Sequence, residues 1–497
     1  MRTALLLIGG AALLALGQGH HPVGPAAVLG LALVARAFRT GHLGLALPAF
    51  AGLHVGVAEL AYRGMIPLDA GPRLGMHVGV ALALGLILAA DARVARRAPG
   101  FASTLVLPCG WVAFDLLSAR LSPGGTWGSL AYSFVEPLAL AQVASLVGWT
   151  GLTFLAAWTA SSLAWAAGVE RRRAARGLAA VALVLAAAVV FGRLRLRESG
   201  EPARLPTASV VAPSTYGRDD ATVEEVWAHT RGVELPPERS ERARARIAAS
   251  LDEHLALAER ALDAGARLVV FAEANASLTT AERPTWLARA GELARARGGW
   301  IGLGLVTFDP GEVLASRNEL VVVGPDGEVA FEFLKATRPP GASHAIGEGI
   351  LPPVALGEAR VSAAICFDLD FPQLFPPVGR AGPDFLIAPS NDWEEASAAH
   401  ARMARLRAIE QGFGLLRPTK DGLSLVCDRA GRVLASLDTL EPGTHLLLAD
   451  VPLDGRATLY ARVGDAFAWL GSAGFLLAVA GLFRRSRAPE TAGAAAS

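Results

Sequence analysis

Residues 361–372 read VSAAICFDLDFP. The run opens with small and apolar residues, the composition of a strand buried on both faces. It then sets Cys366 at its end, with Phe367, Asp368 and Asp370 directly behind. Packing at the end of a core strand fixes the direction of a thiol while leaving its sulfur at an edge. The question is what other chemistry the chain brings to that edge.

Working outward, segments of strand and helix pattern alternate from Leu205 onward. LPTASVVAP reads as a strand, and RARARIAASLDEHLALAERALDAG as an amphipathic helix closed by glycine. ARLVVFAE is a buried strand that ends in Glu273. RNELVVVGPDGEVAFEFLK is two strands around a Pro-Asp-Gly turn, and it ends at Lys335. This pattern predicts a mixed α/β domain of about 250 residues, large enough for one layered core. Three strands thus end in Glu273, Lys335 and Cys366, and strand ends on one sheet edge converge on a crevice. A carboxylate takes a thiol's proton, and an ammonium favours the thiolate and steadies an oxyanion. Together they are the parts of acyl transfer through a thioester. Lys335 and Lys420 are the lysines in a chain whose other strong cations are arginine. Lysine offers a compact ammonium whose pKa burial can shift. Lys420, in a polar turn, reads as a surface charge.

The composition around this domain is that of a membrane protein. The chain is 497 residues long, 52% hydrophobic, with mean hydropathy +0.39. A formal charge of +1 gives no electrostatic footprint for nucleic acid. Its three cysteines have neither disulfide-framework nor metal-ligand spacing. Apolar stretches near 4–16, 23–35, 43–62, 74–90, 104–117, 140–166, 174–190 and 467–483 predict about eight spans. The boundaries expected are a membrane domain over 1–200, a soluble domain over 201–460, a last helix over 465–484 and a disordered tail over 485–497. Arginine collects on one side: Arg2, Arg36 and Arg39, then Arg93, Arg96 and Arg97, then the 171–176 run, then Arg484, Arg485 and Arg487. That side is cytoplasmic by the positive-inside rule, so both termini lie inside and the soluble domain outside. The first segment lacks a convincing signal-peptidase site.

At Glu273, Lys335 and Cys366 the sequence resembles the nitrilase (carbon–nitrogen hydrolase) superfamily. With its membrane framing it resembles bacterial apolipoprotein N-acyltransferases. TWGSLAYSF and LVGWTGLTFL resemble that family's membrane segment, and PSNDW with HARMARLRAIEQGFGLLRPTKDG its late soluble region. The resemblance implies an α-β-β-α sandwich joined to a polytopic helical membrane domain. It implies Glu273 as general base, Lys335 as oxyanion partner and Cys366 as acylated nucleophile. Asp368, Phe367, Asn391, Trp393 and Arg405 are expected in support. The implied partners are the membrane, a phospholipid acyl donor and a lipoprotein N-terminal cysteine, acting on a monomer with no metal or organic cofactor. The sequence departs from the family in three places. Ala272 stands where a proline usually precedes the Glu. KATRPPGASHAIGEG has Ser343 near the place of an assisting Glu, with Glu348 further on. Asp368 replaces a Glu after the Cys. A membrane-anchored amidase using the same triad is the alternative, as is an inactive lipid- or partner-binding homologue.

Other residues carry lesser expectations. Asp115 reads as helix packing or the lining of a substrate entrance, and His54 and His77 as polar contacts between helices. Cys109 and Cys427 read as small core hydrophobes. Asp370 is placed to cap a helix starting near Pro372. Arg405 and Arg407 share a helix with His400 but face different sides, one towards the site and one to solvent. Residues 216–240 are long and polar enough to be a lid or an ordered excursion.

Overall fold

The computed structural model describes residues 1–197, 201–212, 221–309, 316–350 and 352–484. The supposed lid therefore lies partly outside the described residues. Its remainder includes a helix, Ala221–Thr230, and the start of another, Pro237–Asp263. The tail after Arg487 lies wholly outside them.

Two sheets pack face to face in the soluble domain. The first runs His445–Pro452, Arg204–Val211, Leu268–Phe271, Trp300–Phe308, Arg317–Val323, Val329–Leu334, with Ala276–Thr279 also pairing on Trp300–Phe308. The second runs Val433–Asp438, Leu423–Cys427, Gly414–Arg417, Phe385–Ile387, Ala359–Ala363, Val354–Leu356. The period-two alternation of each strand sorts its side chains between two cores. Leu268 and Val270 meet Val361, Ala363 and Phe385 between the sheets. Their neighbours Val269 and Phe271 face outward onto helix residues Ile247, Leu251 and Trp286. On the far side Leu386, Leu415 and Cys427 pack on Ala404 and Ala408 of the helix Glu394–Gln411. The layers are therefore helix, sheet, sheet, helix, and Cys427 is core as expected.

In the membrane region four helices are long and apolar enough to cross a bilayer: Leu43–Ala61, Ala70–Arg97, Phe101–Leu121 and Arg171–Arg197. The stretch expected as one sixth span is instead two pieces, Leu138–Val147 and Trp149–Ala166, bent by 117°. The break falls at Gly148, whose φ of +73° is open to glycine and costly for other residues. A fifth crossing is present if that pair counts as one span; Arg2–Leu16 and Ala466–Leu482 are shorter apolar helices. Ala70–Arg97 exposes Leu74, Val78, Leu82 and Leu86 at helical spacing on one face and buries Leu84 and Leu88 on another. Arg39, counted among the loop cations, is buried instead, with Nε and Nη2 donating to Asp91 at 2.8 and 2.9 Å.

The helix Glu394–Gln411 joins the two regions. Met403, Leu406 and Ile409 pack on Ala131, Tyr132 and Trp149 of the membrane region. Its other face serves the second sheet, which is why nearly all of it is buried. Arg407, expected on one exposed side, is fully buried beside Glu410 at 2.9 Å.

Candidate active site

Three backbone segments bring the candidate groups together. Glu273 lies in the turn two residues beyond Leu268–Phe271, Lys335 immediately follows Val329–Leu334, and Cys366 lies three residues beyond Ala359–Ala363. So Cys366 is not the last residue of its strand: it opens the 3-10 turn Cys366–Asp370. Two of the three non-glycine residues with positive φ among those described are here, Ala274 at 50° and Cys366 at 48°. Such backbone costs on the order of 1–3 kcal/mol per residue and persists only where surrounding structure enforces it. Part of that enforcement is visible at Gly304, where a Cβ would lie 1.9 Å from the Ala272 carbonyl oxygen. Glycine there lets the neighbouring strand press against the turn that carries Glu273.

The Lys335 ammonium donates to Glu273 Oε1 at 2.6 Å, and Asn318 Nδ2 donates to the same oxygen at 2.7 Å. Glu273 Oε2 is buried and has no hydrogen-bond partner among the described residues. The Cys366 thiol lies beside this carboxylate, and its sulfur is 3.7 Å from the Asn391 carbonyl oxygen. All three residues are buried, with exposures of 4% for Glu273, 2% for Lys335 and 6% for Cys366.

Burial and mutual charge set the protonation states. Burial alone would push the Glu273 carboxyl up, but the Lys335 ammonium holds it below the usual carboxylate range. Burial works against the Lys335 ammonium, yet Glu273, Cys366 and Asp368 together keep it above the ordinary lysine range. Burial, then the Glu273 charge, pushes the Cys366 thiol well above its ordinary value. The resting site is therefore carboxylate, ammonium and thiol, with a base beside the proton it would take.

Asp368 lies in the same 3-10 turn as Cys366. Its carboxylate accepts from Ile365 N at 2.9 Å, within its own turn, and from Thr337 Oγ1 at 2.7 Å and Ala336 N at 3.1 Å. It thereby ties the Cys366 turn to the segment after Lys335. Burial raises its carboxyl to about 6. Asp370 does not cap the next helix. It accepts from Trp127 Nε1 at 2.7 Å and lies 3.3 Å from His400 Nε2.

A cavity of about 390 Å³ contains the site. Glu273, Lys335, Cys366, Phe367, Asn391 and Trp393 line it. So do His54, His77, Leu84, Trp111 and Asp115, from the membrane helices. Asp115 serves both expectations: it lines the cavity and accepts from Ser129 and Thr153 hydroxyls at 2.8 and 2.7 Å. His77 Nδ1 meets Glu59 at 3.1 Å. Arg405 is not among the lining residues: it donates to the Gly431 carbonyl at 2.6 Å and pairs with Glu136. Ser343 and Glu348 are both exposed, while the intervening His344 is buried and lines the cavity.

Comparison with known proteins agrees with this two-part design. Residues 10–162 match the apolipoprotein N-acyltransferase N-terminal domain, and residues 235–460 match the carbon–nitrogen hydrolase domain. A Geobacter metallireducens apolipoprotein N-acyltransferase is 27% identical over 444 residues, covering 81% of this chain and 79% of its own. One from Bradyrhizobium diazoefficiens is 28% identical, covering 73% and 70%. Over most of its length the chain is similar to apolipoprotein N-acyltransferases. A solved amidase from Nesterenkonia sp. is also similar, at 19% identity and TM-score 0.39, over 52% of this chain and 95% of its own. A likeness at that level says nothing of substrate.

Sequence reading missed several residues around this family site. Cys366, Asp392 and His400 place metal-ligand atoms within 4.8 Å of one another. Their donors are already engaged. His400 Nδ1 is 2.7 Å from Asp392, and Arg417 Nη2 donates to Asp392 at 2.8 Å. Burial opposes charge on His400, but Asp370 and Asp392 raise its pKa to about 9, and an imidazolium has no lone pair for a metal. Asn318, His344 and Arg417 also went unread. A lone histidine in the loop just after Lys335 was the one signal available in the sequence.

Proposed function

We propose that the protein moves an acyl chain from a phospholipid, through a thioester on Cys366, to the α-amino group of a lipoprotein's diacylglyceryl cysteine. The observation that carries this reading is the cavity that runs from Glu273, Lys335 and Cys366 into apolar walls supplied by the membrane helices. A lipid tail lying against Leu84 and Trp111 has its ester carried towards the sulfur. A water-soluble amide would gain little from that wall.

In the first half-reaction Glu273 takes the thiol proton on its free Oε2 as sulfur attacks the ester carbonyl. Lys335 neutralises the oxyanion of the tetrahedral intermediate. Collapse breaks the ester C–O bond, the lysophospholipid oxygen takes the proton from Glu273, and the thioester remains. In the second half the amine attacks the thioester carbonyl. The C–S bond breaks, and Glu273 relays an amine proton to the departing sulfur. Asn391, Phe367 and Trp393 shape the wall, and Asp368 holds the two strand-end segments together.

The wider organisation is proposed on the same footing: a membrane domain over 1–200, a catalytic domain over 201–460, a closing helix over 465–484 and a tail over 485–497. Eight crossings would put both termini in the cytoplasm and the catalytic domain outside, acting as a monomer. The arginine asymmetry supports that orientation.

Purified protein given a labelled phospholipid and a diacylglyceryl-cysteine lipopeptide tests the reaction. The expected product is N-acylated peptide. Release of free acid at the same rate, with or without the peptide, would make the protein a hydrolase instead.

A further inference from the structure

Building on that reading, we infer that His344 is a second base, which takes the proton the acceptor's ammonium must lose before it attacks the thioester. A free α-amino group has a pKa of about 7.7–8, so much of it is ammonium at neutral pH. Ammonium and thioester become amide and thiol, which releases one proton beyond the one the sulfur keeps. Glu273 handles the relayed proton. The first half-reaction, thiol plus ester to thioester plus alcohol, releases none. An acceptor that enters as ammonium therefore needs one more base, and only in the second half.

His344 is built for it. Lys335 is followed by a short excursion that closes on itself, where Gly347 N donates back to the Lys335 carbonyl at 2.8 Å. Asp368 holds its base through Ala336 and Thr337. Within it Arg338 Nε donates to the His344 carbonyl at 2.5 Å. His344 Nε2 lies 3.0 Å from the Thr337 carbonyl oxygen. A carbonyl only accepts, so Nε2 carries the hydrogen and the lone pair is on Nδ1. No hydrogen bond engages Nδ1 among the described residues, and the side chain lines the cavity shared with Glu273, Lys335 and Cys366. The charges around it are Lys335 and Arg338, which disfavour the imidazolium, and Glu273, which favours it. Burial and Lys335 prevail, so the ring is neutral and able to accept a proton. It would pass the proton on to solvent between turnovers.

The test separates the two half-reactions. Full-length protein and H344Q are loaded with phospholipid, and the Cys366 adduct is followed by intact-protein mass before and after addition of a diacylglyceryl-cysteine lipopeptide. Glutamine can still donate to the Thr337 carbonyl but is not a base. H344Q is expected to load within about twofold of wild type and to transfer about 10- to 100-fold more slowly at pH 7. The gap should narrow above pH 9, where the amine arrives uncharged, and added imidazole should rescue H344A. Equal transfer rates at pH 7 would overturn the inference. So would a transfer defect that is the same at every pH, or failure of H344Q to load while wild type loads; these are the marks of a structural role. Failure of wild type to load would instead sink the thioester reading on which the inference rests.

Discussion

Lys335 sets the working range of its neighbours. Removing its charge leaves Glu273 buried without a cation, and burial then pushes the carboxyl up instead of down. A base with a depressed pKa stays ionised until the pH falls below the usual carboxylate range; one with a raised pKa is protonated sooner. K335M should therefore move the acid limb of Cys366 acylation to higher pH, as well as lowering the plateau by about 100-fold or more. Stopped assays across pH 4–8 would show it, and an unmoved limb would mean that Lys335 does not control Glu273. Glu273, Lys335 and Cys366 were legible in the sequence because each follows a strand whose apolar pattern announces it. His344 and the Asp370–His400–Asp392–Arg417 cluster were not. Their meeting depends on how helix, turn and sheet pack, which no local period records.

At the scale of elements, the prediction concerns the clasp between the Cys366 turn and the segment after Lys335. Asp368 gathers three donors from the two segments. D368A would leave the Ile365 and Ala336 amides unsatisfied, at about 1–3 kcal/mol for each buried group. The variant should melt earlier and lose most of its acylation rate; a Tm and rate like wild type would remove Asp368 from the site's support. Strands and their order of appearance could be read from alternation and turn residues. The ends could not, since the backbone leaves the sheet before Glu273 and before Cys366. The broken helix at Gly148 escaped for a related reason. Both halves are apolar, so hydropathy alone reads them as continuous, and only the positive φ and the 117° bend divide them.

Over the whole molecule, a helix with two buried faces, Glu394–Gln411, fastens the catalytic sandwich to the membrane region, and the cavity crosses the same junction. Trp127 on the membrane side stacks on Trp393 at 6.4 Å and donates to Asp370, while Trp393 Nε1 donates to the Gly64 carbonyl at 2.8 Å. If the apolar wall guides the donor's tail, narrowing it should act by chain length. L84W fills space where a membrane helix lines the cavity. It should slow loading from long-chain phospholipid about tenfold while sparing a short-chain ester. Equal slowing of both donors would place the tail elsewhere.

The most direct measurement is peptide mapping of the protein after incubation with a phospholipid of known chains and no acceptor. The expected result is one acyl group on Cys366, absent from C366A and discharged when a diacylglyceryl-cysteine peptide is added. Transfer that persists in C366A, or an acyl group found on another residue while Cys366 stays free, would contradict the account.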